Sequence, residues 1–213
     1  MTAAEMAVTA RMALGQSRAV ALPTAGTAAL ILFDGAAGAR VSLNLTASTI
    51  SQGDLSIVRP DGTNLVAPAF FGTSGVFLDT VTLPAAGTYT ILVNPRSSYS
   101  GSATLTLHDV PPDLTGSISP AGAPVTVTLA VPGQNALLAL PGVAGSSYTL
   151  TLSAVTISQS DVSVLKPDGT NLVSPTFVST SGKKIKFTAP TTGTYTIVVN
   201  PRGAVKGQMT LKL

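Results

Sequence analysis

Four aspartates occupy matched positions that could bind a metal ion or a sugar. Asp54 and Asp61 recur 107 positions later as Asp161 and Asp168, and clustered carboxylates are typical ligands of calcium. A calcium site takes about six to eight oxygen ligands, whereas the whole chain has nine acidic residues. The pattern therefore favours a structural role for these aspartates, and we expect no metal site and no cofactor.

The remaining residue types form no catalytic pattern. The chain has one histidine, His108, and no cysteine, so a disulfide framework, a thiolate metal site and a cysteine nucleophile are excluded. Glu5 is the single glutamate, and a glycosidase needs two carboxylates that face each other across a cleft. The sequence also lacks the phosphate-binding, dinucleotide-binding and zinc-protease motifs. We therefore expect no catalytic residue and no enzyme activity.

The sequence Pro-Asp-Gly-Thr-Asn-Leu-Val occurs twice, at residues 60–66 and 167–173. Proline presets the backbone angle of a turn, aspartate bonds to backbone two residues on, and glycine adopts a positive φ without steric cost. Apolar alternation on both sides is typical of a hairpin. The pattern predicts a turn in each copy, formed by Pro60, Asp61 and Gly62 and by Pro167, Asp168 and Gly169. A binding loop used in duplicate is the alternative.

A second repeated segment, Gly-Thr-Tyr-Thr-Ile, lies at 87–91 and 193–197. A proline and a glycine shortly before a strand-opening tyrosine are similar to the tyrosine corner of Greek-key sandwiches. We therefore predict that Tyr89 and Tyr195 are structural corner residues. Asn-Pro-Arg follows each strand and should end it, because proline cannot donate to a sheet. The sequence does not explain the repeated Arg96 and Arg202 beyond packing over a tyrosine or capping carbonyls.

The repeats keep almost constant spacing. The spacing is 107 residues in the first half of the unit and 106 in the second, so one residue is deleted between Gly182 and Pro190 relative to Gly75–Pro84. A folded repeat tolerates such a change in a loop or at a strand end. Internal repetition of this kind predicts two copies of one fold.

Alternating apolar and polar residues predict β-strands throughout each copy, as at 40–46, 54–58 and 102–107. Residues 2–14 contain good helix formers, but they align with 113–122, which indicates a strand and a turn, so we favour a strand. We predict an all-β chain of two tandem Greek-key or jelly-roll-like β-sandwiches of the same topology. Its parts are sandwich 1 (1–107), a proline-rich linker (108–115) and sandwich 2 (116–213).

Charged residues make up 10% of the chain, and the net charge is +3. Nucleic-acid binding calls for a dense basic stripe, which the sequence lacks, and no run of about 20 apolar residues predicts membrane insertion. Lys183, Lys184 and Lys186 are typical of a solvated edge strand. Residues 1–107 hold five basic and five acidic groups, whereas residues 108–213 hold seven and four. The excess positive charge therefore lies in the second copy.

Aromatic residues give a carbohydrate ligand little support. Sugar platforms need exposed aromatic rings, and the chain has no tryptophan and four tyrosines. Two of these are predicted corners, which leaves Tyr99 and Tyr148 at unrelated positions of the repeat. Carbohydrate binding is therefore kept as an alternative.

The copies differ most clearly where Val76 and Phe77 of the first align with Lys183 and Lys184 of the second. Because exposed apolar patches usually mark interactions, Phe71, Val76 and Phe77 form a candidate contact surface for a neighbouring repeat or another chain. The alternative is that these side chains face the core and that the lysines mark an altered edge strand.

The unit that contains the Pro-Asp-Gly-Thr turn and the Gly-Thr-Tyr-Thr-Ile strand resembles repeats found in tandem in large exported bacterial proteins, some with YD (Rhs-type) repeats. More broadly, the chain is similar to bacterial pre-peptidase C-terminal domains, small jelly-roll-like β-sandwiches appended to secreted enzymes. The resemblance covers nearly all of the second copy and the first from about residue 19. Some members bind calcium, collagen or polysaccharide, but residues 1–10 lack the acidic cluster of the calcium-binding members.

The resemblance implies an extracellular or cell-surface location, with any signal peptide outside this sequence. We expect a non-enzymatic structural or interaction module, namely spacer or stalk repeats of a larger extracellular bacterial protein. Its expected partners are neighbouring repeats of the same or a larger chain, with self-association as a further option. The alternatives are a polysaccharide- or matrix-binding accessory module and a self-assembling filament or shell subunit.

Overall fold

A computed structural model describes the backbone of residues 5–213 and the side chains of residues 9–213. The chain divides into two compact units, unit 1 (Met1–Val110) and unit 2 (Pro111–Leu213). All named elements in the described residues are β-strands, which confirms the all-β prediction. The described residues include no helix with the length and apolar character needed to cross a membrane.

The strands of unit 1 are β1 (Glu5–Arg11), β2 (Ser17–Leu22), β3 (Thr27–Gly35), β4 (Arg40–Thr46), β5 (Gly53–Val58), β6 (Asn64–Phe71), β7 (Val76–Thr82), β8 (Gly87–Pro95) and β9 (Gly101–Asp109). They form a five-stranded sheet of order β1-β3-β8-β5-β6 and a four-stranded sheet of order β2-β9-β4-β7. Strand β1 runs parallel to β3, and the other neighbours are antiparallel.

The strands of unit 2 are β10 (Leu114–Ser117), β11 (Val125–Leu129), β12 (Ala136–Gly142), β13 (Ser147–Ser153), β14 (Ser160–Leu165), β15 (Asn171–Val178), β16 (Lys183–Thr188), β17 (Gly193–Pro201) and β18 (Gly207–Lys212). The sheets have the orders β10-β12-β17-β14-β15 and β11-β18-β13-β16. Each strand therefore occupies the place of its counterpart nine strands earlier.

The two sheets of each unit enclose one hydrophobic core. In unit 1, Ile31, Leu55 and Ile91 of the five-stranded sheet and Leu43 and Leu105 of the four-stranded sheet are fully buried in one cluster. Alternation brings every second residue to this face, and each large side chain buried there contributes about 1.5–3 kcal/mol. Unit 2 has its own cluster from the equivalent strands. Each unit is therefore a β-sandwich, and the predicted pair with the same topology is confirmed.

The segment predicted as a linker contains the division between the units. Strand β9 continues to Asp109 and strand β10 begins at Leu114, so residues 110–113 lie outside any strand. The division falls between Val110 and Pro111. At the N-terminus, the stretch expected to be a strand forms β1 from Glu5 to Arg11, and residues 1–4 lie outside the described residues.

The one-residue difference between the copies is a β-bulge within strand β7. Val41 pairs with Val81 and Leu43 with Leu78, so β7 has one more residue than β4 in this interval. At the bulge, the Thr80 amide donates a hydrogen bond to Asp79 Oδ1 over 2.7 Å. Strand β16 of unit 2 pairs with β13 without a shift in register. The extra residue thus lies inside an edge strand rather than in a loop.

Candidate interaction site

The repeated Pro-Asp-Gly-Thr segment forms a tight hairpin turn. The Arg59 amide donates to Thr63 O over 2.8 Å, and Gly62 has a φ of +84°. Asp61 Oδ1 accepts hydrogen bonds from the Thr63 amide at 2.9 Å and from its hydroxyl at 2.6 Å. Pro60 packs on Gly87, where an added Cβ would lie 2.7 Å from the proline ring. The second copy makes the equivalent contacts with Lys166, Pro167, Asp168, Gly169, Thr170 and Gly193.

The structure separates the aspartates considered as metal ligands. Asp54 lies near the start of β5 and Asp61 lies in the turn after its end, and each carboxylate is occupied by donors from its own surroundings. Among the described residues, no group of three or more histidine, aspartate or glutamate side chains is placed to hold a metal ion. These aspartates therefore form no shared site, and both belong to structural contacts.

The tyrosines of the repeated Gly-Thr-Tyr segment are wholly buried. The Tyr89 hydroxyl donates to Ala85 O over 2.7 Å, and the Tyr195 hydroxyl donates to Thr191 O over the same distance. This is the geometry of a tyrosine corner. Tyr148 is also buried, 8% exposed, and stacks on Phe187, while Tyr99 packs partly against the core of unit 1.

A cleft of about 470 Å³ lies between the turn and the corner of unit 1. Its walls include Arg59, Pro60 and Asp61 from the turn and Pro84 and Tyr89 from the corner. The Asp61 carboxylate and the Tyr89 hydroxyl already have hydrogen-bond partners. We therefore assign this cleft to the contact between the two repeated motifs rather than to a ligand.

The three residues predicted as a contact surface have different environments. Phe71 is fully buried and fills the space left by Gly53, so it faces the core and does not belong to a surface. Val76 packs partly against the same core. Phe77 pairs with Asn44 on the outward side of β7 and is partly exposed. The interpretation that these side chains face the core therefore holds for Phe71 and in part for Val76, while Phe77 points outward.

The neighbouring Phe70 is the exposed member of the aromatic pair, with 53% of its surface accessible. The Arg96 guanidinium lies 5.0 Å from the centre of its ring. Arg96 also donates to both carboxylate oxygens of Asp54, from Nε at 2.8 Å and from Nη2 at 2.6 Å. We call these three residues the Arg–Asp–Phe cluster of unit 1.

Unit 2 has the same cluster at the equivalent positions. Phe177 is 43% exposed, and the Arg202 guanidinium lies 5.1 Å from its ring centre. Arg202 donates from Nε and Nη2 to the two oxygens of Asp161, both at 2.7 Å. The arginine side chains keep about half of their surface accessible, 47% for Arg96 and 51% for Arg202.

Strand register brings the members of the cluster together. Asp54 pairs with Phe70 on β6 and with Asn94 on β8, so the aspartate lies between the phenylalanine and the end of β8. Pro95 ends that strand, and the Arg96 amide donates to Gln52 O over 3.0 Å. This bond turns the chain so that the arginine side chain returns over the sheet. The repeated Asn-Pro-Arg motif thus positions the guanidinium.

The two hydrogen bonds to carboxylate stabilise the charged form of each arginine. The Asp54 carboxylate holds the pKa of Arg96 above its ordinary value, and Asp161 does the same to the pKa of Arg202. Bidentate arginine–carboxylate pairs are geometrically specific, and a cation over an aromatic face adds attraction. Each cluster therefore presents a fixed, exposed aromatic ring whose neighbouring charges cancel.

Sequence reasoning missed this cluster, although its members recur together. Asp54, Phe70 and Arg96 reappear as Asp161, Phe177 and Arg202 at the repeat spacing. Recurrence of all three residue types in both copies, once strands β5, β6 and β8 were predicted, is the signal that could have found it.

Comparison of the sequence with models of known protein families and with curated proteins finds no match. Among solved structures, the pre-peptidase C-terminal domain of a collagenase from Bacillus anthracis is similar with a TM-score of 0.37 and 13% identity, over 46% of this chain and 93% of that one. The CUB1-EGF-CUB2 domains of human MASP-1/3 are similar with a TM-score of 0.31 and 8% identity, over 92% of this chain and 98% of that one. The PBSX exported protein XepA is similar with a TM-score of 0.29 and 14% identity, over 94% of this chain and 82% of that one. At these identities and TM-scores none of them assigns a function to the chain.

Proposed function

We propose that the chain is a non-catalytic structural and interaction module, with spacer or stalk repeats of a larger extracellular bacterial protein as its role. Two features support this proposal. Each unit has its own buried core, so each can serve as a self-supporting segment. Each unit also exposes one Arg–Asp–Phe cluster, which we propose as its contact point with a neighbouring repeat or a second chain.

The observation that carries the proposal is the exposed phenylalanine held by arginine in both units. Exposed aromatic rings are unfavourable in water, and the cores are complete without Phe70 and Phe177. Aromatic residues and arginine are enriched among the residues that dominate protein–protein binding. Because the arginine and its aspartate fix each other, little side-chain freedom is lost on binding.

Charge favours a partner that resembles the chain itself. Within each cluster the arginine is paired with an aspartate, so no charge is left for an oppositely charged partner to neutralise. The chain has only 10% charged residues, and a partner of the same kind would bury few unpaired charges. A neighbouring repeat or a second copy therefore fits this surface best.

Sedimentation of the full chain over a range of concentrations tests the contact. The wild-type chain should associate reversibly, and the double variant Phe70→Ser/Phe177→Ser should weaken this association about tenfold or more, since loss of a dominant interface anchor costs about 2 kcal/mol or more. Val143→Ser is the matched control, because Val143 is 58% exposed and lies outside both clusters. This control should associate as the wild type does.

A wild-type chain that stays monomeric at every concentration would contradict self-contact, as would equal association of the double variant and the wild type. Retention on neutral insoluble glycans or on collagen, measured with and without calcium, separates the spacer role from that of a matrix-binding accessory module. Large scattering particles would instead favour a filament or shell subunit.

A further inference from the structure

The outer face of the four-stranded sheet in unit 2 is covered by hydroxyl and ammonium groups. We call it the lysine face, defined by the outward residues of β11, β18, β13 and β16. Inward residues of these strands, such as Leu150 and Leu211, are fully buried, so alternation assigns the residues between them to the outer side. Outward residues are Lys184, Lys186 and Lys212, with threonine, serine and glutamine at the remaining positions.

Register places the three lysines close together. Thr151 pairs with Lys184 on one side and with Lys212 on the other, so the two lysines lie two strands, or about 10 Å, apart. Lys186 follows Lys184 on the same side of β16 at about 7 Å. All three are exposed. The face therefore carries three ammonium groups within one small area.

Acidic residues of unit 2 lie away from this face. Asp161 is on β14 of the other sheet and is paired with Arg202. Asp168 is in the turn after β14 and is paired with Lys166, and Asp113 precedes β10. Among the outward residues just described, none carries a carboxylate. Among the described residues of unit 2, no acidic side chain therefore lies on the lysine face.

A cleft lies on β13 and on β16, the strand that carries Lys184 and Lys186. It has a volume of about 450 Å³ and is lined by Ser147, Tyr148, Thr149, Lys186, Phe187 and Thr188. The hydroxyls of Ser147 and Thr188 bond to each other over 2.8 Å. The cleft thus combines an ammonium group with hydroxyls that donate and accept hydrogen bonds, which are the groups that bind acidic sugars.

The equivalent face of unit 1 lacks this chemistry. Phe77 is the counterpart of Lys184. Phe77 pairs with Asn44 on β4, and Lys184 pairs with Thr151, the equivalent residue of β13. Thr106 stands in the place of Lys212. The corresponding face of unit 1 therefore lacks two of the three ammonium groups of the lysine face.

We propose that the lysine face binds an anionic polysaccharide, a glycan with carboxylate or sulfate groups along its chain. A surface that carries three exposed ammonium groups attracts anions, and the cleft beside Lys186 adds serine and threonine hydroxyls that can bond to the hydroxyls of the sugar. Three lysines are too few for a nucleic-acid site, which uses a long basic stripe. The outward residues also offer no aromatic ring on which a base could stack. This binding is independent of the Arg–Asp–Phe clusters, which lie on the other sheet.

Surface plasmon resonance with the full chain tests the assignment, with immobilised polygalacturonate, dextran sulfate and neutral dextran as probes. The wild type should bind one or both anionic glycans, in a salt-sensitive manner, and should not bind neutral dextran. The two anionic probes distinguish carboxylate from sulfate as the recognised group. The variant Lys184→Thr/Lys186→Thr/Lys212→Thr should lose about tenfold or more in affinity.

The matched control is Arg18→Gln/Arg59→Gln/Lys166→Gln, which also lowers the net charge from +3 to 0 but leaves the lysine face intact. It should bind within about twofold of the wild type if the site is local. Equal losses in both variants, no wild-type binding to either anionic glycan, or tighter binding to duplex DNA or anionic lipid vesicles would overturn the proposal. If the lysine variant loses its thermal unfolding transition, Phe77→Lys/Thr106→Lys in unit 1 replaces it and should raise the affinity.

Discussion

Unit 1 has its stacked aromatic pair on the five-stranded sheet, whereas unit 2 has its pair on the four-stranded sheet. Phe33 and Tyr89 lie on β3 and β8 with ring centres 5.4 Å apart. Tyr148 and Phe187 lie on β13 and β16 at the same separation. At the positions equivalent to the aromatic pair of the other unit, unit 1 has Val41 and Val81, and unit 2 has Leu140 and Tyr195.

Several residues that stay identical in both units are held by directional bonds. The aspartate of each turn, the tyrosine of each corner and the arginine of each cluster accept or donate specific hydrogen bonds. Core positions are constrained mainly by volume, so some of them, such as Gly53 and Phe71, change as a pair, whereas others, such as Leu43 and Leu150, stay the same. Where the units differ in the core, paired changes therefore point to packing rather than to bonding geometry.

The largest expected effect comes from replacing a pair of packed residues in unit 1 with the corresponding pair of unit 2. Gly53 pairs with Phe71 in unit 1 and Ser160 pairs with Val178 in unit 2. A Cβ on Gly53 would lie 2.6 Å from an atom of the Phe71 ring, so Gly53→Ser should destabilise unit 1 by about 1–3 kcal/mol. Phe71→Val leaves a cavity and should cost about 2–4 kcal/mol. The double variant restores the pair of unit 2 and should lose much less than the sum.

Calorimetric unfolding of the full chain measures this double-mutant cycle. Val178→Ala in unit 2 is a control, because it should shift only the unfolding transition of unit 2. Strictly additive losses in the double variant would contradict volume compensation, and the two units would then not be alternative solutions to one packing problem.

The parts of the fold that sequence reasoning recovered are those with local causes. Alternation, the Asp61 turn and the Tyr89 corner depend on residues within a few positions of one another, so their chemistry is visible in the sequence. Arg96 bonds to a carboxylate 42 positions away, and its role depends on strand register. Register is a tertiary property, and the sequence alone left it open.

The two adjacent phenylalanines show the same limit at one position. Successive residues of a strand point to opposite faces, so either Phe70 or Phe71 had to be buried. The register of β6 on β5 shifts between Leu55 and Ile57, and such an irregularity reverses the parity expected from the alternation further along the strand. The candidate surface rests on differences between the copies, so it includes Phe71, which aligns with Val178, and not Phe70, whose counterpart Phe177 is identical.

A smaller effect is expected at a position of positive φ that is occupied by serine in unit 1 and by glycine in unit 2. Ser97 has a φ of +50°, and the equivalent residue of unit 2 is Gly203, with a φ of +64°. Side chains at such angles cost about 1–2 kcal/mol, partly offset by the greater freedom of glycine in the unfolded chain. Ser97→Gly should therefore stabilise unit 1 by about 0.5–1 kcal/mol, and Gly203→Ser should destabilise unit 2 by a similar amount.

Urea unfolding of the full chain gives both values. Ser98→Gly, next to the strained position, is the control and should not stabilise unit 1, because Ser98 has no positive φ to relieve. Changes of the same sign in Ser97→Gly and Gly203→Ser would show that the difference between the units does not lie in the backbone angle.

The third and smallest effect distinguishes the units by their response to acid. A hydrogen bond from the Thr88 hydroxyl, and then the nearby Arg11 guanidinium, hold the pKa of Asp34 below its ordinary value. Unit 2 has Pro141 at this position, opposite Thr194 as Asp34 is opposite Thr88. In the turns, the threonine two residues on lowers the pKa of the aspartate in both units.

A carboxyl group with a lower pKa in the folded state contributes stability above the ordinary pKa of about 3.9, and that contribution is lost as the pH falls below this value. Among the described residues, unit 1 has one more such carboxyl than unit 2, so its melting temperature should fall more steeply between about pH 4 and pH 2. In calorimetry over this range, Asp34→Asn should make the melting temperature of unit 1 less dependent on pH. The transition of unit 1 is the one that Gly53→Ser shifts. The turn variant Asp168→Asn should flatten only the other transition. If Asp34→Asn leaves both acid limbs unchanged, the network around Asp34 does not stabilise unit 1, and the difference between the units is confined to packing and backbone strain.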